Sequence, residues 1–208
     1  MEFSLDCRRC PRLVHYLESL RLRFPDYHNA PVPAFGDPAA RLMIVGLAPG
    51  LHGANATGRV FTGDPSGDLL FATLHRFGFC NYPSSRLMVD DLRLDNCLIT
   101  NAVKCVPPSN LPNSTERKRC GSFLRDEIDT LAPRVIVALG RIAHESVLKA
   151  LDQTIARFPF AHLAEHCPLG AEGPILLDSY HCSRYNVQTK RLTAAMFDKV
   201  FARARELL

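Results

Sequence analysis

Two sets of residues in this 208-residue chain have types and spacing suited to chemistry. The first is Cys7, Cys10, Cys105 and Cys120. Two thiols three apart on one helical turn can grip a metal, and the two later cysteines complete a candidate set of four. Alone, C-x-x-C reads equally as a ligand pair, a redox pair or chance. A zinc ribbon prefers a second short knuckle, which is absent here. An iron–sulfur cluster accepts widely spaced single cysteines and often has proline near a ligand, so spacing favours the cluster over zinc without excluding it. The second set lies where apolar runs stop. Leu42-Met43-Ile44-Val45 breaks at Gly46 into residues rich in Gly, Pro, Asn and Thr, the run ending at Thr100 reaches Asn101, the run ending at Leu139 reaches Gly140 and Arg141, and the run ending at Asp178 reaches His181.

Runs of that length and branching are expected to be buried strands. In open parallel α/β sheets ligands bind outside the carboxyl ends of the strands, so the four loops should converge on one cleft. Helical spacing surrounds the strands. Leu13, Val14, Leu17 and Leu20 follow Cys10, and Leu69, Leu70, Thr73, Leu74 and Phe77 precede a turn at Gly78. Cys120 stands at the expected start of a helix carrying Phe123, Leu124, Ile128 and Leu131. Ile142, Ala143, Ser146, Val147 and Ala150 mark another, and Thr193 is the expected N-cap of a last helix with Met196, Val200, Phe201 and Ala204 inside. Residues 24–38, with four prolines, read as a connector, 81–95 as irregular, and 158–173 as a long excursion. His162 and His166 in that excursion could pair on a metal only on a helix with an acid nearby, and no such pattern is read there. Cys80, Cys97 and Cys167 read as structural thiols.

With 47% hydrophobic residues the chain can bury a full core, and residues 1–208 are expected to be one domain. A net charge of +4 permits a nucleic-acid partner without requiring one. No apolar run approaches the roughly 20 residues that span a bilayer, and no signal-peptide core is seen, so no membrane association and a cytoplasmic location are expected.

Several motifs together resemble family 5 of the uracil-DNA glycosylase superfamily, the type B enzymes. They are Gly46-Leu47-Ala48-Pro49-Gly50, His52-Gly53-Ala54-Asn55, residues 57–64 with Phe61 and Asp64, residues 100–105 with Asn101, and residues 179–186 with His181, Ser183 and Arg184. The similarity runs from Cys7 to the last helix. It implies a three-layer α/β/α fold on a central four-stranded parallel sheet, a [4Fe–4S] cluster on Cys7, Cys10, Cys105 and Cys120, and removal of uracil and other damaged bases from DNA by a monomer. Family 4 usually has Glu at the position of Leu47 and lacks the His-Gly-x-Asn stretch and the Asp that follows, so Leu47, His52 and Asp64 favour family 5. Where the family reads His-Pro-Ser, this chain reads His181-Cys182-Ser183, which restores a backbone N–H, frees φ and is expected to place a thiol beside the site.

On that resemblance each need of the reaction has a candidate. Breaking an N-glycosidic bond leaves an anionic base and a cationic sugar, so the site must donate to the base, hold an anion or water near the sugar and accept a flipped base. His181 would donate to the base carbonyl, Asn101 would read the base edge, Phe61 would stack on the base, and Asp64 would orient water or balance the sugar's charge unless it only caps a helix. Gly46, Leu47, Ala48, Gly50, His52 and Asn55 would line the pocket, and Arg59, Lys104, Ser183, Arg184, Lys190 and Arg191 could hold phosphates. Alternative readings are a non-catalytic iron–sulfur DNA-binding protein of the same fold, a strict family 4-like uracil enzyme, and an electron carrier, which would not need Phe61, Asn101 and His181 at three strand ends.

Overall fold

In the computed structural model, which describes residues 3–86 and 91–208, Leu13, Leu17 and Leu20 form the buried stripe of helix α1, Pro11–Arg23. Pro11 occupies the first turn, and the residue before a proline is pushed out of the helical region. Cys10 is accordingly extended (φ −116°, ψ 92°) and Cys7 lies upstream of the helix, so the two thiols do not share a helical turn as expected. The connector then makes a short strand β1, Phe35–Gly36, before β2, Leu42–Gly46.

The loop after β2 carries a single turn of helix, α2 (Ala54–Thr57), and ends in α3, Pro65–Arg76. Strand β3 is Cys97–Asn101. Helix α4, Ser114–Leu131, starts well before Cys120: Asn113 accepts from the Glu116 backbone while Glu116 returns a side-chain bond to the Asn113 N–H, a reciprocal cap that satisfies two orphan donors. Strand β4 (Val135–Leu139) and helix α5 (Arg141–Ala150) follow. The long excursion contains β5, Glu165–His166, and leads to β6, Ile175–Ser179. Helix α6 (Arg184–Gln188) and helix α7 (Ala194–Leu207) close the chain, α7 starting at Thr193, whose hydroxyl accepts from Met196 N–H. Of the irregular stretch 81–95, residues 87–90 lie outside the described residues.

The sheet order is β1-β3-β2-β4-β6-β5. The four inner strands are parallel, as expected, and the two-residue strands β1 and β5 add an antiparallel edge on each side, making six. Successive side chains of a strand point to opposite faces. Leu42, Ile44, Val135, Val137 and Leu177 therefore pack with α3 and α7, whereas Met43, Val45, Ile136, Ala138 and Leu176 pack with α4 and α5. Both faces are covered, which is why β2 and β4 read as unbroken apolar runs. A third cluster joins α1 to Val103, Val106 and Phe123, and Arg12 bridges α1 to Glu116 of α4 through two bonds of 2.7 Å. Among the described residues no helix is long and apolar enough to cross a membrane.

Two expected phosphate contacts are part of this framework. Lys104 is 1% exposed, its Nζ lying 2.7 Å from Glu127 of α4 and donating to Thr100 of β3. Arg59 is 7% exposed and donates through Nε to Thr62 while covering the ring of Phe35. Both bridge elements that the sequence order keeps apart, and neither faces solvent. Lys104→Ala should therefore lower stability by about 3 kcal/mol, the cost of leaving a paired charge alone. It should leave the salt dependence of DNA affinity unchanged. Chemical denaturation and binding titrations over a salt series check both, and a shallower salt slope would restore the phosphate contact.

Candidate active site

The inner strand order reverses direction between β2 and β4, and in such sheets the crevice opens outside the strand ends at that switch. A cleft of about 500 Å³ lies there, walled by Leu47, Ala48, Gly50 and His52 from the loop after β2, Phe61 and Asp64 from its far end, Asn101 from β3, and His181 and Ser183 from the loop after β6. Three separate strand ends thus bring Asp64, Asn101, Phe61 and His181 together, as the sequence led us to expect.

Gly46 makes this convergence possible. A Cβ there would overlap Asn101 Oδ1 and stand 2.7 Å from the Phe61 ring, so only glycine lets both side chains close over the end of β2. Asn101 is 2% exposed, and its Oδ1 has no hydrogen-bond partner. A buried acceptor left open costs stability, which marks it as a group awaiting a donor. Phe61 takes a left-handed backbone (φ 52°) and packs against His181 with ring centroids 6.1 Å apart and planes tilted by 28°.

Asp64 serves two purposes. Its Oδ1 accepts from Gly67 N–H at 3.0 Å and caps α3, while its Oδ2 lies against Gly53, where a side chain would collide with it. Burial raises its pKa above the ordinary 3.8, against the pull of the capping N–H groups. Desolvation by the cleft lowers the His181 pKa to about 4, so the ring is neutral at physiological pH and can donate a hydrogen bond without carrying charge. The loop holding it is pinned, because Asn186 Nδ2 donates to the His181 carbonyl at 2.8 Å and Ser183 caps α6.

Other expectations need correction. Cys182 is 0% exposed and belongs to the core beneath α3 and α7; burial pushes its pKa up, with the charge of Asp64 adding to it, so the thiol stands behind the cleft wall near Asp64 rather than open in the cleft. Asn55 is fully buried and donates to Asn29 Oδ1 at 2.9 Å, bracing the loop rather than lining the cleft. Gly46 lies behind the wall, and Arg184 is exposed on α6 outside the cleft. Of the expected phosphate contacts, Arg184, Lys190 and Arg191 keep exposed positions. Asn110, Ser66 and Gly53 line the cleft and were not anticipated. Asn110 and its neighbour Ser109 both have positive φ, a tight turn that Pro107-Pro108 and Asn in sequence could have signalled.

Away from the cleft, Cys7, Cys10, Cys105 and Cys120 line one cavity with Phe3, Leu13, Val14, Val103 and Phe123. All four are unpaired thiols, and Lys104 N–H donates to Cys120 Sγ at 3.3 Å. Among the described residues the group of three or more His, Cys, Asp or Glu ligand atoms within 4.8 Å is His144, His166 and Asp178, with no cysteine in it. No three of the four sulfurs therefore lie within 4.8 Å of one another, whereas one ion with bonds of about 2.3 Å needs its sulfurs roughly 3.8 Å apart.

The titration of His181 has a definite sign. Its folded value lies below the ordinary 6.5, so its contribution to stability is complete above pH 6.5 and is lost as pH falls towards about 4. Histidine proton NMR should show one ring, missing in His181→Gln, that stays neutral until pH approaches about 4. A midpoint near 6.5 would mean that the ring is open to water.

Residues 33–205 match the model of the uracil DNA glycosylase superfamily. A type-5 uracil-DNA glycosylase of Thermus thermophilus is 47% identical over 97% of this chain and 93% of its own length. One of Pyrobaculum aerophilum is 43% identical over 96% of this chain and 88% of its own. A type-4 uracil-DNA glycosylase of Pyrobaculum aerophilum is 34% identical over 73% of this chain and 64% of its own.

Proposed function

The chain belongs to the uracil DNA glycosylase superfamily, and from that premise we propose that it is a type-5 enzyme that flips uracil out of DNA and hydrolyses its N-glycosidic bond. The observation that carries the reading is the buried, unpartnered Oδ1 of Asn101 in a cleft shared with a neutral imidazole and a carboxylate.

Uracil presents an N–H donor beside two carbonyl acceptors. Asn101 Oδ1 takes that N–H, and the side-chain amide donates to an adjacent carbonyl. The Phe61 ring supplies a face for the base, which has been lifted from its stack. As the bond between sugar C1′ and the base nitrogen breaks, its electron pair goes to the base, and neutral His181 donates to the base oxygen where negative charge gathers. Ionised Asp64 faces the positive sugar and orients the water whose oxygen bonds to C1′; the water's proton leaves with the base. Because Leu47 contributes no carboxylate, this work falls to Asp64. The apolar wall also admits other deaminated or modified bases. Exposed Arg184, next in sequence to the cleft residue Ser183, and exposed Lys190 and Arg191 beyond α6 are candidates to meet phosphates, and Tyr185, 70% exposed on α6, can fill the gap left by the flipped base.

The four cysteines fit a [4Fe–4S] cluster: they are thiols facing one cavity, wider apart than a single ion allows, with an N–H donor already on one sulfur. The cluster would fasten α1 to the loop after β3 and to α4, remote from the reacting bond. Anaerobically purified protein should be brown and contain iron, and replacing Cys105 with Ala should lower stability more than it lowers the cleavage rate of protein that remains folded. Colourless protein with stoichiometric zinc would sink the cluster.

Single-turnover cleavage of uracil-containing strands tests the chemistry. His181→Ala and Asp64→Ala should each lose about 10² or more in rate with little change in DNA affinity. Parent-like rates in both would remove them from the reaction, and intact strands with the parent protein would leave a non-catalytic binding protein.

A further inference from the structure

We propose that His144, Asp178 and His166 form a buried hydrogen-bonded anchor that positions the end of β6, and with it His181, for the reaction. The proposal rests on the glycosylase reading for the role of His181 and on geometry for the rest.

Asp178 is fully buried near the end of β6, three residues before His181. His144 of α5, also fully buried, places Nδ1 2.7 Å from Asp178 Oδ1 and Nε2 2.9 Å from the Phe158 carbonyl oxygen. The Phe158 carbonyl can only accept, so Nε2 donates to it, and Nδ1 shares a proton with the Asp178 carboxyl group. His166 of β5 places Nε2 3.2 Å from the second carboxylate oxygen. The three ligand atoms lie within 4.8 Å of one another, close enough to suggest a metal. The 2.7 Å between Nδ1 and Oδ1 is nevertheless a hydrogen-bond distance, shorter than the roughly 3 Å or more that separates nitrogen and oxygen ligands sharing a zinc ion. A proton fits between them as they stand.

The anchor joins three pieces of chain. It ties α5 and the long excursion to β6 from both sides of one carboxylate, and the backbone repeats the connection: Leu163 N–H donates to the Asp178 carbonyl and Asp178 N–H to that of Ala164. Immediately beyond, the Ser179 carbonyl accepts from Gly140 N–H, and Tyr180 N–H donates to His162 Nδ1. His181 is the next residue, and it faces the cleft while the anchor stays sealed from it. The sequence separates these groups widely, and neither cleft nor cysteine cavity uses them. A small shift at Asp178 would carry His181 off the position of the departing base oxygen, and misplacement by about 1 Å can cost about 10² in rate.

The test compares parent, His144→Gln and the milder His166→Gln as full chains carrying whatever metal they bind on purification. Nitrogen NMR of histidine-labelled parent should show one ring, absent from His144→Gln, with a proton on Nε2 and a strongly hydrogen-bonded proton shared between Nδ1 and the Asp178 carboxyl group. Amide exchange at residues 180–183 should speed up in either variant, and single-turnover cleavage of uracil strands should fall by about tenfold or more in His144→Gln, with DNA affinity within about twofold. If His144→Gln fails to fold, His166→Gln carries the same comparison with a smaller loss. Parent-like exchange and cleavage in a folded variant would overturn the proposal, as would a His144 ring with no such shared proton or one equivalent of a divalent metal that disappears with His166→Gln. Exchange and NMR do not depend on catalysis, so a parent that cleaves no uracil would sink the glycosylase reading and leave these two to decide the anchor.

Discussion

The site depends on a crowding constraint at Gly46. Parallel strands place their carboxyl ends side by side, and the β2–β3 register sets Gly46 opposite Asn101. A side chain at Gly46 would hold Asn101 and Phe61 away from each other and from the strand end. With none, the amide that reads a base and the ring that supports it stand against one backbone. That is how a short amide gains a fixed orientation, although its oxygen has no hydrogen-bond partner. Gly53 gives Asp64 similar clearance, so the loop from β2 to α3 is shaped by two places where absent side chains make room for present ones.

Paired ionisable groups, each with at least one buried partner, organise the surroundings. Lys104–Glu127 joins β3's exit to α4, Arg12–Glu116 joins α1 to α4, and His144–Asp178–His166 joins the excursion to β6. Ion pairs of this kind add little net stability over well-packed apolar residues, but removing one partner is costly. They therefore discriminate between arrangements more than they strengthen one. A slip of α4 would strand Lys104, and a slip of the excursion would strand Asp178. The loops after β3 and β6 must hold Asn101 and His181 in register, and each has such a pair near its root.

The inner sheet was legible because a strand covered on both faces needs a continuous apolar run, and short runs ending on Gly46, Asn101, Gly140 and His181 have few other uses. Thr193 as a cap was legible from its own chemistry. The strands β1 and β5 were not, because two residues carry no periodicity. Lys104 and Arg59 read as surface cations because the groups that bury them, Glu127 for one and Thr62 with Phe35 for the other, are specified by tertiary structure. The start of α4 was available in Asn113 and Glu116, a capping pair, but the cysteine drew attention to the wrong turn. His166 lacked an acid only in the linear sense, since Asp178 reaches it across the β5–β6 pairing.

Asp64 shows how helix cap and catalytic carboxylate can be one residue. A cap needs one oxygen on a backbone N–H, which leaves the second free, and the helix N-terminus favours negative charge at that position. Burial acts in the opposite direction and raises the pKa above 3.8. The carboxylate is thus poorly solvated yet held by the capping N–H groups, and a poorly solvated anion responds strongly to a positive charge forming nearby. His181 lines the same cleft with its pKa moved down by burial, whereas at Asp64 the capping N–H groups oppose burial and favour the charged form. Neither group opposes the other, and the charges that develop when a glycosidic bond breaks, positive on the sugar and negative on the base, meet an anion and a donor respectively.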